Sequence, residues 1–353
     1  MRTAAALLVP ALVLAACGSS SKSTGGSGGG TTNFQAGQGN AGVAQTVSST
    51  DGAIGYVDFS DAKAANLKFA SIKNSAGTYV PATLAGAAAA VSAAKIADDL
   101  TYSPLNEPGA DAYPITSPTW IIAYAKQTDA TKGAALKSFL TFMLNDGQAL
   151  ADGANFAKLP ASLQQKAITQ LSKLQVPAGG SSSATLNGSG STFQKTFDQV
   201  VIQAFQQKNS GITVNYAGGG SGKGKTDLQT KTVDFAGTDS LVKDADLSKY
   251  QGGSILYFPI ASAPITVSFN LSGVSSLQLS GPTLAKIFGG KITKWNDAAI
   301  VADNPGATLP DTAVTVVHRA DASGTTSNFT KYLVAAGGPD WTLGSGDTVN
   351  WPS

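Results

Sequence analysis

Apolar positions in this chain recur with two different periods, and the periods alternate. In AALKSFLTFML (residues 134–144), Leu136, Phe139, Leu140, Met143 and Leu144 fall on one face of a helix, a spacing that predicts core packing. Phe193, Phe197, Val201 and Phe205 repeat that spacing, and Phe329, Tyr332 and Leu333 begin it again further along. Between these stretches DGAIGYVDF, PTWIIAYAK, ITVNYA, APITVSFN and TAVTVV are β-branched, apolar runs that predict strands. Strands alternating with helices predict an α/β architecture with mostly parallel central sheets, whose ligands sit beyond the carboxyl ends of the strands.

The polar breaks change this picture in two places. AGGSSS at 178–183 invites a division into domains at about 33–177 and 184–353. The start, MRTAAALLVPALVLAAC, has an Arg, a short apolar stretch and small residues before Cys17, which reads as an export signal and not as a membrane helix. Leu14-Ala15-Ala16-Cys17 looks like the lipobox of bacterial lipoproteins, in which the signal over 1–17 is cleaved and Cys17 is lipidated. Residues 18–32 then form a Gly/Ser tether, and the body is expected to be membrane-anchored on the extracytoplasmic face, in the periplasm or at the cell surface.

Composition narrows the chemistry. At 353 residues the chain can bury two cores, while a net charge of +2 with only 13% charged residues indicates no nucleic-acid partner. His318 and Cys17 are the only His and Cys, too few soft ligands for a zinc or iron–sulfur site, so no metal and no cofactor is expected.

Candidate chemistry lies in three Gly/Ser-softened turns. VVHRADASGTTSNFTKYL places Arg319, Asp321, Ser323, Gly324 and Thr325 where a strand gives way to a helix. A helix start exposes unpaired N–H groups and partial positive charge, which suits an oxyanion. Taken alone, this stretch is equally explained by Asp321 or Ser323 as an N-cap and Arg319 as an ion-pair partner. NGSGSTF predicts a second helix opened at Ser191 and Thr192, and GGGSGKGKTD a third turn, followed by the carboxylate of Asp239 in VDFAGTDS. The coincidence of three such turns with an Arg and two acids favours an anion site.

Two enzyme readings compete with it. Gly219–Thr226 satisfies the G-x-x-x-x-G-K-[ST] pattern of a nucleotide-binding P-loop after a strand, but no apolar strand ending in a metal-binding Asp follows as expected, and export removes ATP. For a serine hydrolase the only base is His318, beside Arg319, with no acid–base–nucleophile trio in view.

The stretches NGSGSTF, VNYAGGGSGKGK, TVDFAGTDS, LSGPTLAKIFGGKITKWND, VVHRADASGTTSNF, VNWP, GNAGVAQTVSSTDGAIGYVDF and YPITSPTWIIAYAK together resemble the phosphate-binding proteins that feed high-affinity phosphate ABC transporters. The resemblance implies a non-enzymatic protein of the two-lobed, type II periplasmic-binding-protein fold that closes on inorganic phosphate and delivers it to a membrane permease, with a single copy as the working unit. It implies ligand contacts from Thr192, Phe193, Ser221, Asp239, Arg319, Asp321, Ser323, Gly324 and Thr325. Asp239 would accept the proton that phosphate keeps and sulfate lacks, while Asp321 orients Arg319, unless the two acids exchange these roles.

Against the family order this chain is circularly permuted, because GNAGV comes first and VNWP last. The resemblance then redraws the map. One lobe is expected over 120–260, joined at 178–183, and the other over 33–114 with 267–353, with crossovers near 115–119 and 261–266. An NTPase using Gly219–Thr226 and a binder of another oxyanion are the alternatives.

Overall fold

The computed structural model describes residues 33–352, so the signal, Cys17 and the tether lie outside the described residues. Strands run in the order β1 (Asn33–Gly37), β2 (Ala53–Asp58), β3 (Lys68–Phe69), β4 (Ser71–Lys73), β5 (Tyr79–Val80), β6 (Thr116–Tyr124), β7 (Ala184–Gly190), β8 (Ile212–Ala217), β9 (Phe235–Thr238), β10 (Ile255–Asn270), β11 (Gln278–Leu279) and β12 (Thr315–Arg319). The helices that position the site are α1 (Gly39–Ser49), α2 (Phe59–Ala64), α3 (Leu84–Ala93), α4 (Ala130–Leu144), α5 (Ala161–Gln170), α6 (Lys195–Lys208), α7 (Ser221–Gln229), α8 (Gly281–Phe288), α9 (Ala298–Asp303) and α10 (Gly324–Ala336). Each predicted strand is present. The predicted helical faces are buried too: Leu136, Phe139, Leu140, Met143 and Leu144 all lie in the core, and the rings of Phe139 and Phe205 meet at 5.3 Å.

The main sheet runs in the order β1-β12-β2-β10-β6-β9-β7-β8, with β3 added to β10, and β11, β4 and β5 form a small second sheet. Its flanks are parallel, as expected, but its centre is not: β10 is antiparallel to both β2 and β6, and β6 is antiparallel to β9. The expectation of mostly parallel sheets is therefore corrected to a mixed sheet. The physical reason is β10 itself, whose sixteen residues pair with β6 over Ile255–Pro264 and with β2 over Ile265–Asn270. It is buried along almost all of its length, so its sequence is apolar without alternation.

Pro118 in β6 and Pro259 and Pro264 in β10 supply no N–H to the ladder, and the register shifts between Pro259 and Ala261. There Ser262 exchanges backbone hydrogen bonds with Ala157 instead, at 2.8 and 3.2 Å. Large rings fill the space around the sheet, and the buried indoles find acceptors: Trp120 Nε1 donates to the Leu100 carbonyl at 3.0 Å and Trp295 Nε1 to that of Gly52 at 2.9 Å.

The two ends of the described chain meet. A Cβ placed on Gly290 would lie 3.4 Å from both the Phe34 ring and Pro352. His318 bridges the same corner, with its ring 5.2 Å from that of Trp351 and 6.4 Å from that of Phe34.

Candidate functional site

The three Gly/Ser turns converge, although they come from distant parts of the chain. Strand β12 ends at Arg319, and Ser323 caps α10 by accepting the Thr326 N–H at 3.2 Å. Asp321 is not the cap. It accepts Arg319 Nε at 2.8 Å and pairs with the second guanidinium nitrogen as well, a fork that fixes the plane of Arg319. Gly39, at the start of α1, donates its N–H to Asp321 at 3.0 Å. Burial pushes the Asp321 carboxyl up, but the hydrogen bond and charge of Arg319 and the Gly39 N–H outweigh burial and hold it below the usual carboxylate range.

Opposite lies Asp239, just past β9. It is buried and accepts the Ser191 hydroxyl at 2.6 Å, the Thr119 hydroxyl at 2.7 Å and, more distantly, Ser221 at 3.4 Å. Its own N–H donates to Ser221 Oγ at 3.1 Å. Burial raises its pKa to about 6, while the Ser191 and Thr119 hydroxyls and the Arg319 charge pull it down. It is thus mostly ionised at neutral pH and readily protonated in mild acid.

The helix start of α10 abuts this acid. A Cβ on Gly324 would come 2.4 Å from Ser221 Oγ and 2.9 Å from Asp239 Oδ2, so only glycine fits there. Asn328 locks the approach: its Nδ2 donates to the Asp239 carbonyl at 2.6 Å and to Ser117 Oγ at 3.0 Å. Gly220, at φ 90°, brings α7 against Ala322 and Asp321. Thr325 Oγ1 lies 3.5 Å from Arg319 Nη1.

Thr192 faces the same centre but does not open a helix. Helix α6 begins only at Lys195, because the Ser191 hydroxyl accepts the Phe193 N–H at 3.0 Å and holds an ST-type turn before it. In this arrangement the Phe193 N–H is spoken for, and its ring is buried against Phe156 at 5.6 Å. The structure therefore gathers Thr192, Ser221, Asp239, Arg319, Asp321, Gly324 and Thr325 around one point, with Ser323 as the helix cap behind it.

Sequence reasoning overlooked Asn40 and Thr119 here, and named Ser191 as part of a turn without giving it Asp239 as a partner. Asn40 donates to Thr192 Oγ1 at 3.2 Å and to Thr325 Oγ1 at 3.3 Å, tying the two halves of the site together. Thr119 and Ser191 are hydroxyl donors to Asp239. Asn40 lies in the GNAGV stretch, a signal that marked the family without marking the residue.

The nucleotide-cradle reading of Gly219–Thr226 fails on geometry. Helix α7 starts at Ser221, which puts Gly224, Lys225 and Thr226 inside it and not at its mouth. Lys225 is held by Asp347 at 2.6 Å, and the Thr226 hydroxyl donates to Gly222 within the helix at 3.0 Å. Neither faces a phosphate chain. His318, the hydrolase base considered above, stacks on Trp351, and burial lowers its pKa.

Among the described residues no helix is long and apolar enough to cross a membrane, and no group of three metal-ligating side chains occurs. The chain is similar to Phosphate-binding protein PstS 3 of Mycobacterium leprae, at 41% identity over 177 residues, which are 49% of this chain and 47% of the relative. It is 43% identical over 183 residues to Phosphate-binding protein PstS3 of Mycobacterium bovis, 51% of this chain and 49% of that protein. The chain thus spans about half the length of the curated relatives it matches. A crystal structure of a phosphate-binding protein of a phosphate ABC transporter from Streptococcus pneumoniae superposes with a TM-score of 0.46 at 19% identity, over 73% of this chain and 82% of that one. A family model described as the PBP superfamily domain matches residues 18–147 and 175–348, most of the sequence, and the chain belongs to that superfamily.

Proposed function

We propose that this chain binds inorganic phosphate outside the cytoplasm and hands it to the permease of an ABC importer, without catalysing a reaction. The observation that carries the reading is the pairing, around one point, of a buried Arg319 with a buried Asp239 that hydroxyls keep available as an acceptor. Arg319, the α10 start and the hydroxyls of Thr192, Ser221 and Thr325 would hold the anion. Charge-assisted hydrogen bonds contribute about 1.5–3 kcal/mol each, so several offset desolvation and leave micromolar or tighter affinity, about −8 kcal/mol.

Asp239 selects among oxyanions. Phosphate near neutral pH keeps a proton for the carboxylate, whereas sulfate meets it as a like charge. This favours phosphate over another oxyanion as the ligand.

Two lobes closing on the ligand follow from the same reading, one over 120–260 and the other over 33–114 with 267–353. The passage of β10 from β6 to β2 near 261–266 supports it. A circularly permuted order is supported by the placement of both Phe34 and Pro352 beside Gly290 and by linear matches that stop at about half of each relative. Lipidation of Cys17 would anchor the single-copy protein on the outer face of the cell membrane.

Calorimetric titration with phosphate, sulfate and ATP tests the function. Tight binding of phosphate alone is expected, and a protein that ignores phosphate would end this reading.

A further inference from the structure

A second buried acid stands behind Asp239. Asp198 on α6 is 1% exposed, its Oδ2 lies 2.8 Å from Gln194 Nε2, and its Oδ1 has no hydrogen-bond partner. Gln194 Oε1 lies 2.6 Å from Thr119 Oγ1, and the same hydroxyl lies 2.7 Å from Asp239 Oδ1. Asp198, Gln194, Thr119 and Asp239 thus form an unbroken buried line.

Counting protons along that line gives its direction. A hydroxyl carries one proton, so Thr119 cannot serve both Gln194 Oε1 and Asp239. The two ends of a carboxamide have the same shape, and hydrogen bonding decides which way round it sits. With Gln194 turned, Nε2 donates to Thr119, the Thr119 proton goes to Asp239, and Oε1 faces Asp198. Two acceptors that close require a proton between them, on Asp198. Burial provides it, raising the Asp198 pKa well above the usual range, and the Asp239 charge adds to it; only with Nε2 toward Asp198 would the Gln194 hydrogen bond oppose the shift.

We propose that Asp198 is a positioning acid for the oxyanion site: neutral, it donates to Gln194, Gln194 to Thr119 and Thr119 to Asp239, and this one-way chain keeps Asp239 the ionised acceptor of the ligand's proton. The assignment of the ligand rests on the phosphate reading above. When Asp198 loses its proton to solvent it can only accept. Gln194 must then turn Nε2 back to it, Oε1 captures the Thr119 proton, and Asp239 loses a donor while facing a second negative charge. One ionisation therefore controls the other.

Few other groups intervene. Asp239 and Tyr216 face Asp198, the Tyr216 hydroxyl donating to the Ser191 carbonyl at 2.9 Å, and Arg319 and Asp347 act on Asp239. Asp58 and Asp61 approach the start of α6 through the Ser60–Thr196 hydroxyl contact at 3.3 Å. The ion pairs Lys208–Asp146 and Lys158–Asp152 lie exposed on the surface.

Two variants of the full chain test the chain of protons. Asp198→Asn keeps a donor toward Gln194, whereas Asp198→Leu keeps the volume and removes the donor. Carboxyl carbon NMR without ligand is expected to show Asp198 protonated at neutral pH, Asp239 titrating unchanged in D198N, and Asp239 titrating at higher pH in D198L. In phosphate calorimetry, D198L should bind about tenfold more weakly than wild type near neutral pH, and D198N should match wild type. As pH rises, wild type should fall progressively behind D198N, which holds its donor.

An Asp198 already ionised at neutral pH, or an affinity ratio of wild type to D198N that stays flat with pH, would overturn the proposal. If the NMR results hold but wild type ignores phosphate, the coupling of the two acids stands and only the phosphate reading falls.

Discussion

Asp321 and Asp239 share one site, and burial acts on both, yet they end on opposite sides of the ordinary carboxylate range. Asp321 faces a guanidinium in a two-pronged pair, so its charge is compensated and its proton expelled. Asp239 faces hydroxyls, which support a charge without cancelling it. The difference teaches that a polar lining alone does not fix an acid's state; full countercharge does. One corner holds its charge, and the other is poised to exchange a proton.

Removing the countercharge should have the largest effect. Arg319→Ala leaves the part-buried Asp321 with the Gly39 N–H but without its countercharge, which costs about 3 kcal/mol of stability, and it should raise the phosphate dissociation constant at least about tenfold. Thermal unfolding and calorimetry check both, and near-normal binding would remove Arg319 from the site.

Stability against pH comes next. A raised carboxyl stabilises the fold below its unfolded value, near 4, and that contribution is lost as pH rises through the folded value; for Asp239, at about 6, this amounts to about 3 kcal/mol. A lowered one, Asp321, does the reverse and loses its contribution as pH falls. Asp239→Asn should therefore gain on wild type in unfolding free energy between pH 4 and 7.5, while Arg319→Ala should lose its deficit only in acid. Parallel pH profiles for D239N and wild type would contradict the contrast between the two acids.

Selectivity should move by a smaller amount. Asp239→Asn should narrow the preference for phosphate over sulfate by about tenfold, because the neutral amide no longer repels a fully ionised anion. Wild type should show the same loss as pH falls through about 6, read by competition binding. The smallest change is Asn40→Ala, which removes the tie between Thr192 and Thr325 and should weaken phosphate binding by about 1 kcal/mol, or fivefold.

How much of this was legible follows from what kind of signal each residue gives. Arg319, Ser323, Gly324, Ser221 and Asp239 sit in turns where small and polar residues stand out against apolar strands. Thr119 sits inside the strand PTWIIAYAK, where a β-branched hydroxyl reads as ordinary strand filling. Asn40 gains its role only by meeting Thr325, 285 positions away, and no local pattern reports such a contact.

Asp198 was invisible for a related reason. In a helix read from Phe193, Phe197, Val201 and Phe205, an Asp beside an aromatic looks solvated, yet Asp198 lies on the buried side of α6 with Phe197, Val201 and Ile202. The direction of the central strands was equally hidden, because antiparallel β10 and parallel β12 both read simply as apolar runs. Strand direction belongs to the route of the chain, not to its residues.

The prolines of β6 and β10 have a mechanical consequence. Stiffness in a sheet comes from its rungs, and Pro118, Pro259 and Pro264 withhold theirs within a few residues of one another, where β10 changes partner and Ser262 turns to Ala157. The sheet thus has its fewest backbone donors where it is fully desolvated and where one strand passes from one neighbour to the next.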